Sequence, residues 1–121
     1  MPVRGEVYYP DKNLPPGQDI KHACVILSPN NLIGQFGRNL FVNVALMRSA
    51  VDRRGRPTRP VPGHSILITP QDLSSLTNDS YVETHQLFAV PLQQFQYKQP
   101  VGKLSQTALD LVLEGARRLF T

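Results

Sequence analysis

Residues 81–86 form a predicted β-strand that carries three side chains able to exchange protons. Because side chains alternate between the two faces of a strand, Tyr81, Glu83 and His85 share one face and the intervening residues share the other. A phenol, a carboxylate and an imidazole on one face are a candidate set for proton transfer. The alternative is an ordinary solvated strand face, and this run taken alone favours that alternative.

Length and composition predict a single globular domain covering residues 1–121. The chain is 40% hydrophobic and 18% charged, which is typical of a folded protein and not of a disordered one. Its net charge of +4 favours a polyanionic partner. The first residues lack an apolar signal-peptide core and no apolar run is long enough to span a bilayer, so we expect a cytoplasmic protein without membrane contact.

The single cysteine and the three histidines do not predict a metal site or a disulfide. Cys24 lies in an apolar run, which favours a buried and unreactive thiol. His22, His64 and His85 are far apart in sequence and lack the spacing of zinc ligands. We therefore predict no metal and no cofactor. His64 has no partner in the pattern and is assigned to a loop or a strand edge.

The apolar pattern predicts five or six short strands followed by one helix. The strands are expected at residues 4–9, 23–27, 40–47, 64–69 and 80–92, the last as one long strand or two short ones. Proline- and glycine-rich loops separate them, notably at residues 10–20 and 48–63. Ser105 is a good helix N-cap, and apolar residues at helical spacing follow it. The expected fold is mainly β with one C-terminal helix, built as a small twisted barrel.

Four segments, in this order, resemble the MazF/PemK/Kid toxins of bacterial toxin–antitoxin systems. They lie at residues 3–9 (VRGEVYY), 22–28 (HACVILS), 42–49 (VNVALMRS) and 80–90 (SYVETHQLFAV). The ending VGKLS at residues 101–105, with the helix after it, is similar to the family's Gly-x-Leu-Ser and closing helix. The resemblance therefore covers nearly the whole chain.

This resemblance implies an SH3-like barrel with a C-terminal helix, usually a homodimer. It implies a toxin that cleaves single-stranded RNA as an endoribonuclease and that is inhibited by a cognate antitoxin protein. The related CcdB proteins share the fold but poison DNA gyrase, so fold alone leaves the activity open. An SH3-like adaptor unrelated to toxins is a third and weaker alternative.

The chain departs from the family pattern at the positions that matter most for catalysis. His22 stands where the family has an arginine in its second strand, and Arg48 followed by Ser49 stands where a threonine closes the third strand. His85 replaces the aspartate that precedes the family's glutamine, which is kept here as Gln86. The site has therefore either been rebuilt with other groups or lost, leaving a member that acts by binding a protein.

RNA cleavage by transesterification needs a base, an acid and a cation that stabilises charge on the phosphate. Histidine suits both proton-transfer roles near neutral pH, so we predict His22 and His85 as base and acid. Glu83 is expected to orient a histidine. Arg48 is expected to hold phosphate by two hydrogen bonds, with Ser49 as a minor donor. The alternative is that both histidines are structural or solvated.

An arginine-rich loop is the second sign of an anionic partner. Residues 48–59 contain five arginines against the single acid Asp52, which favours contact with phosphates over a loop without a partner. The predicted substrate-binding residues are Lys21, Arg53, Arg54, Arg56, Arg59 and Gln86. The sequence thus predicts a metal-independent endoribonuclease toxin acting on single-stranded RNA, with a non-catalytic, protein-binding member as the alternative.

Overall fold

The computed structural model describes residues 1–10, 22–33 and 41–121. Its strands and helix are, in chain order, β1 (Glu6–Tyr8), β2 (Ala23–Ile26), β3 (Phe41–Ser49), β4 (Ser65–Ile68), β5 (Ser80–Pro91), β6 (Gly102–Lys103) and α1 (Gln106–Arg117). Two short 3-10 helices, Leu92–Phe95 and Arg118–Phe120, follow β5 and α1. The loop predicted at residues 10–20 lies, beyond Pro10, outside the described residues.

The described strands form one antiparallel sheet in the order β4-β5-β3-β2-β1-β6. The two longest strands, β3 and β5, pair with each other except at residues 84–86 of β5, and they form the centre of the sheet. Because β4 and β6 are its two edges, the sheet is an open half-barrel. The predicted mainly β fold with one C-terminal helix is confirmed. Only the two-residue β6 was not predicted, since Gly102 and Lys103 carry no apolar pattern.

The sheet separates two apolar clusters because its side chains alternate between the two faces. One face is covered by α1 and includes Val25, Met47 and Val82 packed with Val112 of the helix. The opposite face buries a second cluster formed by Tyr8, Cys24, Ile26, Val42, Val44, Leu46, Val90 and Phe95. Each face of the central strands therefore contributes to a core.

Strand β5 contains a bulge where it pairs with β3. Ala45 pairs with Leu87, but the next residue, Leu46, pairs with Glu83, so residues 84–86 have no counterpart in β3. Thr84 in this bulge points to the helix side, where its side chain is fully buried. Bulges of this kind redirect side chains beside functional sites. Here the bulge contains His85.

Helix α1 begins where the sequence predicted. The hydroxyl of Ser105 accepts a hydrogen bond from the N–H of Ala108 at 3.2 Å, as an N-cap should. The face of α1 that meets the sheet ends at Ala116, and Phe120, beyond the helix, is 80% exposed. Among the helices of the described ranges, none has the length and apolar character required to cross a membrane.

The Cys24 thiol is buried, as predicted, and points into the second apolar cluster. Burial raises the pKa of this thiol from its ordinary value of 9.0 to about 12, because a thiolate there would lack solvation. The thiol therefore stays protonated at neutral pH and is not a nucleophile.

Gly115 is required by close packing between α1 and the bulge in β5. A Cβ atom at this position would lie 2.6 Å from Oγ1 and 2.9 Å from Cγ2 of Thr84. Helix propensity alone favours alanine by about 1 kcal/mol, but overpacking costs about 1–3 kcal/mol.

We expect Gly115→Ala to lower the free energy of unfolding measured by urea denaturation. Thr107→Ala, an exposed change on the same helix, should not lower it, and a stabilising Gly115→Ala would contradict the contact.

Alkaline pH should destabilise the fold through Cys24. Between pH 9 and pH 12 the unfolded chain loses the thiol proton while the folded chain keeps it, so stability present below pH 9 is lost as pH rises. The free energy of unfolding falls by up to about 1.4 kcal/mol per pH unit. We expect urea denaturation to show this decrease between pH 9 and pH 10. For Cys24→Ala, the free energy of unfolding should fall less steeply with pH. Equal slopes for the two proteins would refute the assignment.

Candidate active site

A buried ion pair joins the end of β3 to the middle of β5. Arg48 Nε donates to Glu83 Oε1 at 2.8 Å, and Glu83 is only 2% exposed. The guanidinium of Arg48 also lies over the Tyr81 ring, 4.9 Å from its centroid. A charge-assisted hydrogen bond and a cation–π contact therefore fix the same arginine. Tyr81 and Glu83 do share one face of β5, as the alternation predicted.

The Glu83 carboxylate receives a further donor from the edge strand β4. Ser65 is paired with Glu83 in the sheet, and its hydroxyl lies 3.1 Å from Oε1 and 2.9 Å from Oε2. A buried carboxylate is tolerated only when its charge and lone pairs are satisfied, and Arg48 and Ser65 meet that condition. Glu83 is therefore held in one orientation and is suited to positioning other groups.

Arg48 also ties the following loop to the sheet. One of its terminal nitrogens donates to the Thr58 hydroxyl and approaches the Ser49 carbonyl, and the other donates to the Arg59 carbonyl at 3.0 Å. With the Nε bond to Glu83, four of the five guanidinium N–H groups point at protein acceptors. The fifth N–H has no acceptor among the described residues, so the predicted two-bond phosphate contact would require exchange of these bonds.

His85 lies beside the ion pair on the bulged part of β5. Its Nδ1 is 3.5 Å from Glu83 Oε2, close but beyond a hydrogen bond, and its side chain is 28% exposed. The His64 ring, on the turn before β4, lies 5.8 Å from the His85 ring between centroids, tilted by 60°. The sequence placed His64 at a loop or strand edge, where it is, but gave it no partner.

His22 immediately precedes β2, the strand that pairs with β3. Ala23 pairs with Met47, the residue before Arg48 in β3. The predicted histidine therefore lies one residue before the strand that pairs with the end of β3. Lys21, also predicted to bind substrate, lies outside the described residues.

Two further predicted residues lie at the margins of this cluster. Ser49 is exposed, and its hydroxyl accepts a hydrogen bond from the N–H of Val51 at 3.2 Å. Gln86 is half-buried within the β5 bulge. Neither contacts Glu83 in the bonds described above, so the cluster centres on Arg48, Glu83 and His85.

The arginine-rich loop is compact and points its charges outward. The Asp52 carboxylate accepts hydrogen bonds from the N–H groups of Arg54 and Arg56 at 2.8 and 2.9 Å, and Gly55 supplies the left-handed conformation, with φ of 77°, that the turn needs. Val51 forms an isolated bridge with Pro57. All four predicted arginines of the loop are exposed: Arg53, Arg54, Arg56 and Arg59.

Sequence reasoning missed three members of the cluster: Ser65, Thr58 and His64. Each reaches the site through tertiary structure, since β4 must pair with β5 and the loop must fold back on Arg48. The position of Ser65 near the start of the predicted strand 64–69 was the one visible signal. Across the described ranges, no group of three or more histidine, cysteine or acidic side chains could hold a metal ion.

We expect Glu83→Gln to lower the free energy of unfolding by about 2 kcal/mol, measured by urea denaturation. Glutamine keeps the size and a Ser65 partner but removes the charge that compensates Arg48. Glu114→Gln is the matched control, because Glu114 pairs with Arg117 at 2.7 Å on the exposed surface of α1 and should leave the midpoint unchanged. Equal losses of unfolding free energy for Glu83→Gln and Glu114→Gln would show that the burial of Glu83 does not strengthen its contribution to stability.

Comparison with solved structures finds the same fold in bacterial toxins. An endoribonuclease in complex with its cognate antitoxin, from a mycobacterial species, is 18% identical with a TM-score of 0.66, over 99% of this chain and 95% of that one. Mycobacterium tuberculosis toxin MazF-mt6 is 14% identical with a TM-score of 0.66, over 95% of each chain. A second mycobacterial endoribonuclease is 18% identical with a TM-score of 0.63, over 98% of this chain and 90% of that one.

Comparison with curated protein sequences finds no match. The family model for the PemK-like, MazF-like toxin of type II toxin–antitoxin systems matches residues 3–120, which is nearly the whole chain. The half-barrel, the closing helix and the order of the four sequence segments agree with this match. The chain therefore belongs to the PemK-like, MazF-like toxins of type II toxin–antitoxin systems.

Proposed function

We propose that this toxin is a metal-independent endoribonuclease that cleaves single-stranded RNA. The observation that carries the proposal is the contact among an imidazole, a buried carboxylate and a guanidinium, brought together by β3, β4 and β5 as His85, Glu83 and Arg48. The proposal is supported by structural neighbours that are described as endoribonucleases.

The proposed reaction is transesterification by the RNA itself. The 2′-oxygen of a ribose attacks the adjacent phosphorus, which forms a 2′,3′-cyclic phosphate and breaks the bond to the 5′-oxygen of the next nucleotide. One proton leaves the 2′-hydroxyl and one is delivered to the 5′-oxygen, and histidines can do both. His85 carries out one of these two proton transfers, and Glu83 orients its ring by facing Nδ1. His22, which adjoins the pair Ala23 and Met47 beside Arg48, supplies the other proton transfer.

The proposed roles of the arginines differ with their surroundings. Arg48 is engaged with Glu83, the loop and Tyr81, so its main task is to build the site and place a positive charge near the phosphate. The exposed loop arginines hold the RNA backbone, supported by Lys21 and Gln86. Exposed cations suit that task because phosphate contacts need little reorganisation of the protein.

A separate apolar cavity of about 420 Å³ lies where the end of α1 meets β5. Apolar side chains such as Leu87, Leu113 and Phe120 line it, and Arg4 and Arg117 lie at its rim. Exposed apolar surface of this kind marks contact with other proteins. We assign it to the protein partners proposed for this toxin, a cognate antitoxin and a second copy in a homodimer. We place the complex in the cytoplasm.

A non-catalytic, protein-binding toxin is the competing function. The substitutions at His22, Arg48 and His85 relative to the family pattern motivated it. The described cluster weakens that interpretation, because Glu83 and His85 keep a buried, organised arrangement whose imidazole is partly exposed. Nothing in the comparisons favours it.

Cleavage of a labelled single-stranded RNA in the presence of EDTA tests the proposal. We expect wild-type protein to cleave it and to leave a 2′,3′-cyclic phosphate. Removing a general acid or base typically costs about 10²–10⁴-fold in rate, so His85→Ala and His22→Ala should each lose at least about a hundredfold. Gel or mass analysis of the products measures both rate and end group.

Glu114→Gln serves as the control, since that residue lies on the exposed surface of α1 and should leave cleavage unchanged. Full cleavage activity in both histidine variants would show that His22 and His85 do not transfer protons in the reaction. Failure to cleave any RNA, together with capture of a protein such as gyrase, would establish the non-catalytic function instead.

A further inference from the structure

We propose that His64 is a positioning residue for His85, holding its ring so that Nδ1 faces Glu83 and Nε2 faces the RNA. This inference rests on the proposed function. It assigns a role to a histidine that neither the sequence pattern nor the proposed reaction uses. The observations that carry it are the contact of the two rings and the shielding of both Nδ1 atoms.

The two histidines are locked together by backbone as well as by their rings. The carbonyl oxygen of His64 accepts hydrogen bonds from the backbone N–H and the hydroxyl of Thr84, at 2.9 and 2.8 Å. Thr84 immediately precedes His85 and is itself packed against Gly115. The backbone on which His85 stands is therefore fixed to the backbone of His64, and the 5.8 Å ring contact follows from that connection.

Both Nδ1 atoms are shielded from solvent, and neither has a hydrogen-bond partner among the described residues. Folded proteins rarely leave buried polar atoms unpaired, and those that remain call for an explanation. For His85 the nearest acceptor is Glu83 Oε2, at 3.5 Å. A small rotation of the His85 ring would close this gap into a hydrogen bond, and the His64 ring lies beside it at 5.8 Å between centroids.

The charged and titratable groups around His85 come from three elements. Glu83 lies beside it on β5, Arg48 reaches Glu83 from β3, and Arg118, beyond α1, donates to the Gly63 carbonyl next to His64. Glu83 is the group positioned to accept from Nδ1–H. With the proton on Nδ1, the other nitrogen has a lone pair for the substrate. His64 acts through ring contact, so a ring without nitrogen should replace it.

Nitrogen-15 NMR of the histidine side chains tests this arrangement directly. The chain has three histidines, and His22→Gln and His85→Gln allow each signal to be assigned. At pH 8.5, where histidine is ordinarily neutral, we expect wild-type His85 to carry its proton on Nδ1. His64→Ala should give a mixture of the two tautomers, whereas His64→Phe should keep the Nδ1–H form.

RNA cleavage is the second measurement. We expect His64→Ala to lower kcat about tenfold with KM within about twofold, because misorientation affects the chemical step more than binding. His64→Phe should recover most of kcat. Loss of activity in both variants alike would make His64 a proton-transfer group and overturn the proposal.

The NMR result stands apart from the proposed function. If wild-type protein cleaves no RNA, the proposed function fails, while the tautomer of His85 still decides whether His64 positions it. An Nε2–H tautomer in wild-type protein would overturn the proposal even if His64→Ala did not fold. An unchanged Nδ1–H signal in folded His64→Ala would overturn it as well.

Discussion

The burial of the Glu83 charge is the constraint on which the site depends. A carboxylate in this position must be compensated, and the compensation comes from Arg48 on β3 and Ser65 on β4. Through Arg48 the same requirement extends to the loop, since Thr58 and the Arg59 carbonyl complete the guanidinium's hydrogen bonds. Three strands and a loop are thus fixed around one negative charge, and the exposed arginines are held beside it.

Features determined by neighbouring residues could be predicted from the sequence. The apolar runs predicted five strands within a few residues, Ser105 predicted the start of the helix, and the apolar surroundings of Cys24 predicted a buried thiol. Alternation placed Tyr81 with Glu83. Features that depend on distant pairing could not be predicted: Ser65 and His64 reach the site because β4 pairs with β5, and the bulge that contains His85 has no local signature in the sequence.

Membership of the toxin family and the chemistry of this site rest on different grounds. The family follows from a match along nearly the entire chain, and the fold agrees with structures that are at most 18% identical to it. The residues proposed for catalysis are those at which this chain departs from the family pattern. Their proposed roles rest on the contacts and burial of these side chains. A shared fold can carry the same kind of reaction with different catalytic side chains, so the departures from the family pattern do not exclude RNA cleavage.

The pairing of β1 with β6 has a consequence for the synthesis of the toxin. Glu6 pairs with Lys103 and Val7 with Gly102, whereas the strands that carry Arg48, Ser65 and Glu83 all lie within residues 41–91. On the ribosome, β1 must therefore wait for most of the chain to be translated before its outer edge is paired. Helix α1, which covers one apolar face, is made later still. Until residues 106–117 have been translated, a nascent chain therefore lacks the helix that covers this face of the sheet.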